Sequence, residues 1–156
     1  LLELDIPGFG KRKLVHLVLD FNGTIARDGR LIRGVGEILA DLARDFSVHV
    51  LTADTFGGVQ RELEGVPCSV AILEKEDQAR AKAEYVRGLV PGEAVCIGNG
   101  RNDALMLREA ALGIAVIQEE GAAGETLLAA DVVVRDILDA LDLLRRPLRL
   151  TATLRS

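Results

Sequence analysis

The stretch Leu14-Val15-His16-Leu17-Val18-Leu19-Asp20-Phe21-Asn22-Gly23-Thr24 constrains this chain more than any other. Its apolar run, rich in Val and Leu, reads as a buried strand of a parallel sheet. A strand covered on both faces has no need to alternate apolar with polar side chains. The run ends in a carboxylate, then Asn, Gly and Thr. Ligands in open α/β sheets bind at the carboxyl ends of strands, which puts Asp20 at the mouth of a site on a rigid support. Gly23 permits a tight turn and the close approach of a backbone N–H to an anion. An Asp so placed can be a nucleophile toward phosphorus, a metal ligand, or a cap of the turn.

The rest of the chain narrows the class. Its 156 residues suit one domain, 1–156, with a real core. Hydrophobic residues make up 49% of it, which argues against disorder. Lys and Arg number 19 against 24 Asp and Glu, a formal charge of −5, which argues against a general affinity for nucleic acid. The basic clusters, Lys11-Arg12-Lys13 and the tail arginines, read as solvated surface. Cys68 and Cys96 lie far apart in apolar surroundings and read as buried free thiols in a reducing compartment. His16 and His49 each sit inside an apolar strand run, so a structural role is favoured over metal ligation. No apolar run approaches the ~18 residues of a membrane span and no signal peptide is visible. The expectation is a soluble cytoplasmic protein away from membranes.

Taken in order, Leu2, Leu4 and Ile6 alternate with Glu3 and Asp5 and mark a short strand. The turn Pro7-Gly8-Phe9-Gly10 lets a strand from about Lys13 to Asp20 fold back on it as a hairpin. Ile25 to Ile32 reads as a second hairpin around Asp28-Gly29. Val35, Ile38, Leu39 and Leu42 predict an amphipathic helix over about 33–44. Ser47 to Leu51 is a buried strand ending in Thr52-Ala53-Asp54, and a short helix covers 57–64. A third sheet strand runs over 68–73. Ala79, Lys82, Val86 and Leu89 share one stripe of the next helix. After Pro91-Gly92, the strand Ala94 to Ile97 ends in the polar loop Gly98-Asn99-Gly100-Arg101-Asn102-Asp103, which opens the helix of Leu105 and Leu107. Further strands are expected at 113–117 and 132–134, with a short helix to about Ala130 between them. Ile137, Leu138, Leu141 and Leu144 mark the last helix. Beyond Pro147, Leu148, Leu150, Ala152 and Leu154 alternate with polar residues, as in an edge strand or a disordered end.

Strands alternating with helices imply an α/β fold, a three-layer Rossmann-like parallel sheet with helices on both faces. Polar segments end three of the strands, at Asp20–Thr24, Thr52–Asp54 and Gly98–Asp103, and adjacency of those strands would gather them at one edge. Asp20, Thr52, Lys82 and Asp103 then form a phosphate-and-cation site. Carboxylates hold a hard cation, Thr52 donates to a phosphoryl oxygen, and Lys82 neutralises charge.

In these motifs the chain resembles the haloacid dehalogenase superfamily of phosphotransferases, from the first long strand to the last helix. Asp20-Phe21-Asn22-Gly23-Thr24 is similar to the family's first motif, Thr52 to the second, Lys82 to the third and Gly98–Asp103 to the fourth; Lys75 is the runner-up for the third. Leu51-Thr52-Ala53-Asp54 and Gly98 to Ala104 most resemble the phosphorylation domain of P-type ATPases and their soluble relatives, as do Gly113–Val116 and Ala129–Val133. The resemblance implies a HAD-like core with an N-terminal β-hairpin and no cap domain, since no large insert lies between Thr24 and Thr52 or between Thr52 and Lys82.

The implied function is a Mg²⁺-dependent phosphohydrolase, phosphatase- or ATPase-like, acting on a phosphorylated small molecule or phosphoprotein. Asp20 forms the aspartyl phosphate. The implied catalytic set is Asp20, Asn22, Thr52 and Lys82. Phosphate is cradled by Asp20, Phe21, Asn22, Gly23, Thr52, Ala53 and Lys82. Mg²⁺ is held by Asp20, Asn22, Asn99 and Asp103, the last directly or through water. Two positions depart from the family pattern. Asn22 stands where most phosphatases carry an acid/base Asp, and Asn99 where a charged metal ligand is usual. Activity limited to good leaving groups is therefore expected, and the alternative is a non-catalytic or degenerate phosphate- or protein-binding module. With no cap the site is expected to be open, and a homo-oligomer with the terminal strands at its interface is the expected way to cover it.

Overall fold

The computed structural model describes every residue except Phe56 and Pro91. Pro91, read from sequence as part of the break before a strand, thus lies outside the described residues. The chain opens with an antiparallel hairpin, β1 (Leu2–Ile6) on β2 (Gly10–Leu14), in which Leu2 faces Leu14 and Ile6 faces Gly10. The single strand expected over 13–20 is in fact two. At Val15 the chain leaves the hairpin and enters the main sheet as β3 (His16–Asp20), where the Val15 and His16 N–H groups both donate to the Glu93 carbonyl. The physical reason is that β3 is flanked on both sides by parallel partners, which leaves it no edge for β1.

A small hairpin follows, β4 (Ala26–Arg27) on β5 (Arg30–Leu31). Its turn residues Asp28 and Gly29 have φ of 52° and 78°, the left-handed pair that two-residue hairpins favour. Next come α1 (Val35–Leu42), β6 (Ser47–Thr52), α2 (Gly58–Glu62), β7 (Ser69–Ile72) and α3 (Gln78–Gly88). Then β8 (Ala94–Gly98) leads through a 3-10 turn, Arg101–Asp103, into α4 (Ala104–Glu109). The chain closes with β9 (Leu112–Val116), α5 (Gly124–Ala129), β10 (Val132–Val134), α6 (Ile137–Arg145) and α7 (Pro147–Leu154).

The last of these corrects a sequence expectation. The alternating tail after Pro147 is a helix, neither an edge strand nor a disordered end. Proline at the first helical position has its φ preset and no N–H to lose. Leu150 is fully buried, α7 packs on β1, and the Ser156 N–H donates to the Pro7 carbonyl at 3.0 Å. Of the terminal strands expected at an interface between copies, the C-terminal one is therefore a helix, while β1 and β2 remain strands.

Six of the described strands form one parallel sheet in the order β10-β9-β8-β3-β6-β7. The chain runs outward from β3 to β6 and β7, then returns through α3 to β8 on the other side of β3. The strand order therefore reverses between β3 and β8, the switch point at which such sheets bind ligands. The three strands with polar C-terminal ends, β8, β3 and β6, are neighbours at the centre. Side chains alternate across β3: Leu17 and Leu19 join the larger core with α1, α6, α7 and the N-terminal hairpin. Val18 joins a smaller core with Leu51, Val86, Cys96, Met106 and Leu107, under α3 and α4. By the same period of two, Asp20 faces the α3 side. No helix of the described residues is long and apolar enough to cross a membrane.

Candidate active site

Asp20 ends β3, and Lys82, on the sheet-facing stripe of α3, reaches it. The Lys82 ammonium donates to Asp20 Oδ1 at 2.8 Å, to Asp103 Oδ1 at 2.7 Å and to Asn102 Oδ1 at 3.2 Å. Those are all three of its donors. Lys82 is 3% exposed and Asp103 fully buried. One cation between two carboxylates leaves the buried group one negative charge in excess. Burial pushes the Asp20 carboxyl up to about 7, with Asp103 pushing the same way, while Lys82 and the Thr24 hydroxyl pull it down. Burial pulls the Lys82 ammonium down, but Asp20 and Asp103 outweigh it and hold it above the usual lysine value.

The loop after β8 is tied to this group. Asp103 Oδ2 accepts the N–H groups of Asn99 and Gly100, both at 3.0 Å. A Cβ at Gly98 would lie 2.5 Å from the Asp103 carboxyl carbon, so glycine is what lets the carboxylate tuck under the strand end. From above, Thr126 donates to the Gly100 carbonyl at 2.6 Å. Asn102 is oriented by donating its Nδ2 to Gln78 Oε1 at 2.9 Å, which turns its oxygen to Lys82. Lys75, the alternative to Lys82, is not among the residues lining the cleft.

Thr24 was quoted in the motif but not foreseen as a site residue. It is buried, with its hydroxyl 3.1 Å from Asp20 Oδ2 and 3.2 Å from Asn99 Oδ1. The Asn99 amide is fixed by donating to the Gly121 carbonyl at 3.1 Å, which leaves its oxygen beside Asp20. At Gly23, φ is 81° and a Cβ would meet the Asn99 amide at 2.5–2.9 Å, so this turn needs glycine on both counts. Of the backbone N–H groups at this turn, that of Gly23 is occupied by the Ala26 carbonyl at 2.9 Å. The Asn22 N–H has no acceptor among the described residues. The Asn22 side chain is exposed on the rim.

Thr52 ends β6 beside Asp20. Its hydroxyl oxygen accepts the Asp54 N–H at 3.1 Å, so its own proton is left to donate. Asp54 in turn accepts the Val59 N–H at 3.2 Å, fixing the start of α2. A cleft of about 380 Å³ joins these parts, lined by Asp20, Phe21, Asn22, Thr52, Ala53 and Lys82, with Asn99 and Glu120 across it. Asp103 lies behind Lys82 rather than on the cleft wall. Gln118 was read only as loop. It donates to the carbonyls of Gly23 at 3.1 Å and Thr24 at 2.9 Å and accepts the Ile137 N–H at 2.8 Å, clamping the turn to α6. A glutamine in a loop carries no signal for such a clamp.

Among the described residues no three His, Cys, Asp or Glu side chains converge as a ready metal centre. What converges is an oxygen set of mixed type, the Asp20 carboxylate and the Asn99 amide oxygen around Thr24. With the excess buried negative charge, this chemistry fits a hard divalent cation such as Mg²⁺.

No protein-family model matches the chain. It is 57% identical over 61 residues to the uncharacterized protein MJ0073 of Methanocaldococcus jannaschii, covering 39% of this chain and 66% of that one, just under two thirds. It is 46% identical over 39 residues to the uncharacterized protein MJ0072 of the same organism, covering 25% of this chain and 89% of that one. Among solved structures it is similar to 3-deoxy-D-manno-octulosonate 8-phosphate phosphatase of Moraxella catarrhalis, in complex with magnesium, phosphate and KDO. The TM-score is 0.71 at 16% identity, over 85% of this chain and 86% of that one. The cobalt-bound deoxy-D-mannose-octulosonate 8-phosphate phosphatase of Haemophilus influenzae gives 0.69 at 14%, over 91% and 94%. Phosphoserine phosphatase in its apo form gives 0.64 at 16%, over 83% and 98%. At these identities the likeness is one of fold.

Proposed function

The chain belongs to one family with the Methanocaldococcus protein MJ0072 and shares the fold of solved phosphatases, and on that premise we propose a phosphohydrolase of the haloacid dehalogenase superfamily that works through an aspartyl phosphate at Asp20. The observation that carries the reading is the Lys82 ammonium bridging Asp20 and Asp103 at the switch point, with Thr52 on the adjoining strand end. The structural neighbours named as phosphatases and crystallised with magnesium or cobalt point the same way.

Asp20 attacks phosphorus and a P–O bond to the leaving group breaks, the leaving oxygen departing with the electron pair. Water then attacks the same phosphorus, the bond to Asp20 breaks, and phosphate leaves with the carboxylate restored. Lys82 and the Thr52 hydroxyl offset charge on the phosphoryl oxygens, joined by the Asn22 N–H. Thr24 orients the Asp20 carboxylate. Asp103 positions Lys82 and folds the Asn99–Gly100 backbone around the site. Mg²⁺ held by Asp20, the Asn22 carbonyl and Asn99, with Asp103 behind them, would supply electrostatic stabilisation of the transferring group. Asn22 can carry no proton, so leaving groups that depart unassisted are favoured: acyl phosphates, aryl phosphates and polyphosphates. The substrate class is a phosphorylated small molecule or phosphoprotein, in the cytoplasm.

The test is turnover of acetyl phosphate or p-nitrophenyl phosphate with Mg²⁺, together with acid-quench trapping of phosphorylated Asp20. Turnover and a trapped adduct, both absent in Asp20→Asn, are expected. The two amides at positions 22 and 99 favour one second reading, a phosphate- or protein-binding module of the same fold. Phosphate binding with neither turnover nor adduct would establish that reading instead.

A further inference from the structure

A groove of about 820 Å³, larger than the cleft at Asp20, lies between the β4–β5 hairpin, the loop after β9 and the start of α6. Four arginines line it: Arg27, Arg30, Arg33 and Arg135. Arg27 is paired with Glu119 at 2.6 Å. The side chains of Arg30, Arg33 and Arg135 have no ion pair or hydrogen bond among the described residues. Elsewhere Arg44, Arg80, Arg87 and Arg101 each have a carboxylate partner, while Arg61, Arg108 and Arg155 lie singly on the surface without one among the described residues. Asp142 alone holds Arg145, Arg146 and Arg149 at 2.8–3.2 Å. The three acids of the groove are Asp28, Glu119 and Asp136, so four cations face three anions in a chain whose formal charge is −5. Two of those acids are committed, Glu119 to Arg27 and Asp136 to the Asp139 N–H at 2.9 Å.

The groove is not only charged. Leu31, Ile32, Ile137 and Leu138 give it an apolar lining, and its volume falls within the roughly 300–1,000 Å³ of small-molecule sites. Gln118 also lines it, and the same side chain clamps the Gly23 and Thr24 carbonyls. The groove wall and the turn after Asp20 thus share a residue.

We propose that this groove is a second anion site, separate from the cleft at Asp20. Its ligand is a small polyanion with phosphate or carboxylate groups at two or more positions around a carbon body. The guanidinium fork binds both oxyanion types bidentately, and the apolar lining receives the body. The assignment holds whether or not Asp20 is a nucleophile.

Inositol hexasulfate is the probe, since it has no phosphoryl group to transfer. Calorimetric titration of metal-free protein should show one bound equivalent. Affinity should fall at least about tenfold in the triple variant Arg30→Gln/Arg33→Gln/Arg135→Gln, and stay unchanged in Lys11→Gln/Lys13→Gln. Equal affinity in wild type and triple variant, or an equal loss in the lysine variant, overturns the site. A second measurement needs no variant. In amide spectra of the wild-type protein, hexasulfate should shift Leu31, Ile32, Gln118 and Leu138. Shifts confined to Ala53 and Gly100 in the cleft, or to Lys11–Lys13, overturn it. With p-nitrophenyl phosphate as substrate, competitive inhibition that needs the arginines marks a distal substrate subsite. A change in kcat without competition marks a free effector.

Discussion

Lys82 and Tyr85 sit one turn apart on α3 and face the same side of the sheet, yet their surroundings are built differently. Lys82 lies between two carboxylates at the C-terminal strand ends. Tyr85 meets His49 at the N-terminal end, its hydroxyl 2.8 Å from Nδ1, and His49 Nε2 lies 3.1 Å from His16 Nδ1. His16 and Asp20 are the two ends of β3, on one face. Apolar side chains lie between the clusters, among them Val18, Leu51, Val86 and Cys96. The histidine end is satisfied without charge. The tyrosine hydroxyl donates to Nδ1, and Nε2–H donates to His16, in one assignment consistent with every atom. The aspartate end holds an excess buried negative charge that no packing requirement explains. A buried ion group is weak support for stability, so its presence at the switch point supports the proposed catalytic role, whereas the histidine end, joined to Tyr85 by a neutral contact, needs only to hold α3 on the sheet.

That contrast breaks first at Asp20. Asp20→Asn should abolish turnover by on the order of 10⁴-fold or more, while the metal-free protein at neutral pH melts no lower than wild type. The substitution removes the carboxylate that burial and Asp103 disfavour in its charged form. A large drop in Tm with retained turnover would reverse the assignment. Next is Asn22→Asp, which should raise turnover of alkyl phosphates by about 10²–10⁴-fold, the usual contribution of a positioned acid/base, and leave acetyl phosphate nearly unchanged. No gain, with rapid hydrolysis of a sugar phosphate by wild type, would mean that another group delivers the proton.

Lys82→Met tests the same interface for stability. It strands two carboxylates in the core and should cost about 3–5 kcal/mol by denaturant titration. Lys82→Met/Asp103→Asn should recover part of that loss. One turn further along α3, Tyr85→Phe removes one neutral hydrogen bond and should cost about 1 kcal/mol, with kcat within about twofold of wild type. Equal costs at the two positions would erase the distinction between the ends.

Much of this interface was legible in the sequence, for a reason that also shows the limit. Apolar runs that end in Asp20, Thr52 and Gly98 announce strand ends, and the spacing of Ala79, Lys82 and Val86 puts the lysine on the buried stripe. Alternation of strands and helices implied one parallel sheet but left the strand order open, and the adjacency of β8, β3 and β6 is what the sheet pairing supplies. What was not legible depends on partners remote in sequence. The break at Val15 is set by Glu93, the clamp at Gln118 by Gly23 and Ile137, and the meeting of His16 with His49 and Tyr85 by sheet register. The tail after Pro147 alternates with a period of two and is still helical. Leu150 and Leu154, four residues apart, meet the core there, while Leu148 is 83% exposed. Local pattern describes faces; it cannot say which remote surface covers them.

The smallest effect expected is the pH response of the histidine end. Burial lowers the His49 pKa below its usual 6.5, and His16 beside it acts in the same direction. A base whose pKa is lowered by folding takes up its proton more readily when unfolded. Stability is therefore full above about 6.5 and is lost as pH falls below that value, through the lowered folded pKa. The ring is about half buried, so solvent screens the effect and it should be modest. Asp20, whose carboxyl is raised to about 7, takes up a proton in the folded state over the same range and acts oppositely, so the measurement is made in the Asp20→Asn protein without metal. Chemical denaturation between pH 7.5 and about 5 should show the decline there, and adding His49→Gln should make it shallower. His16→Gln should also flatten it, because the neighbouring imidazole is the second cause of the shift. If both variants decline as steeply as the Asp20→Asn parent, the histidine end is not the titrating element. The contrast between a neutral end and a charged end of α3 would then fail where the histidines meet.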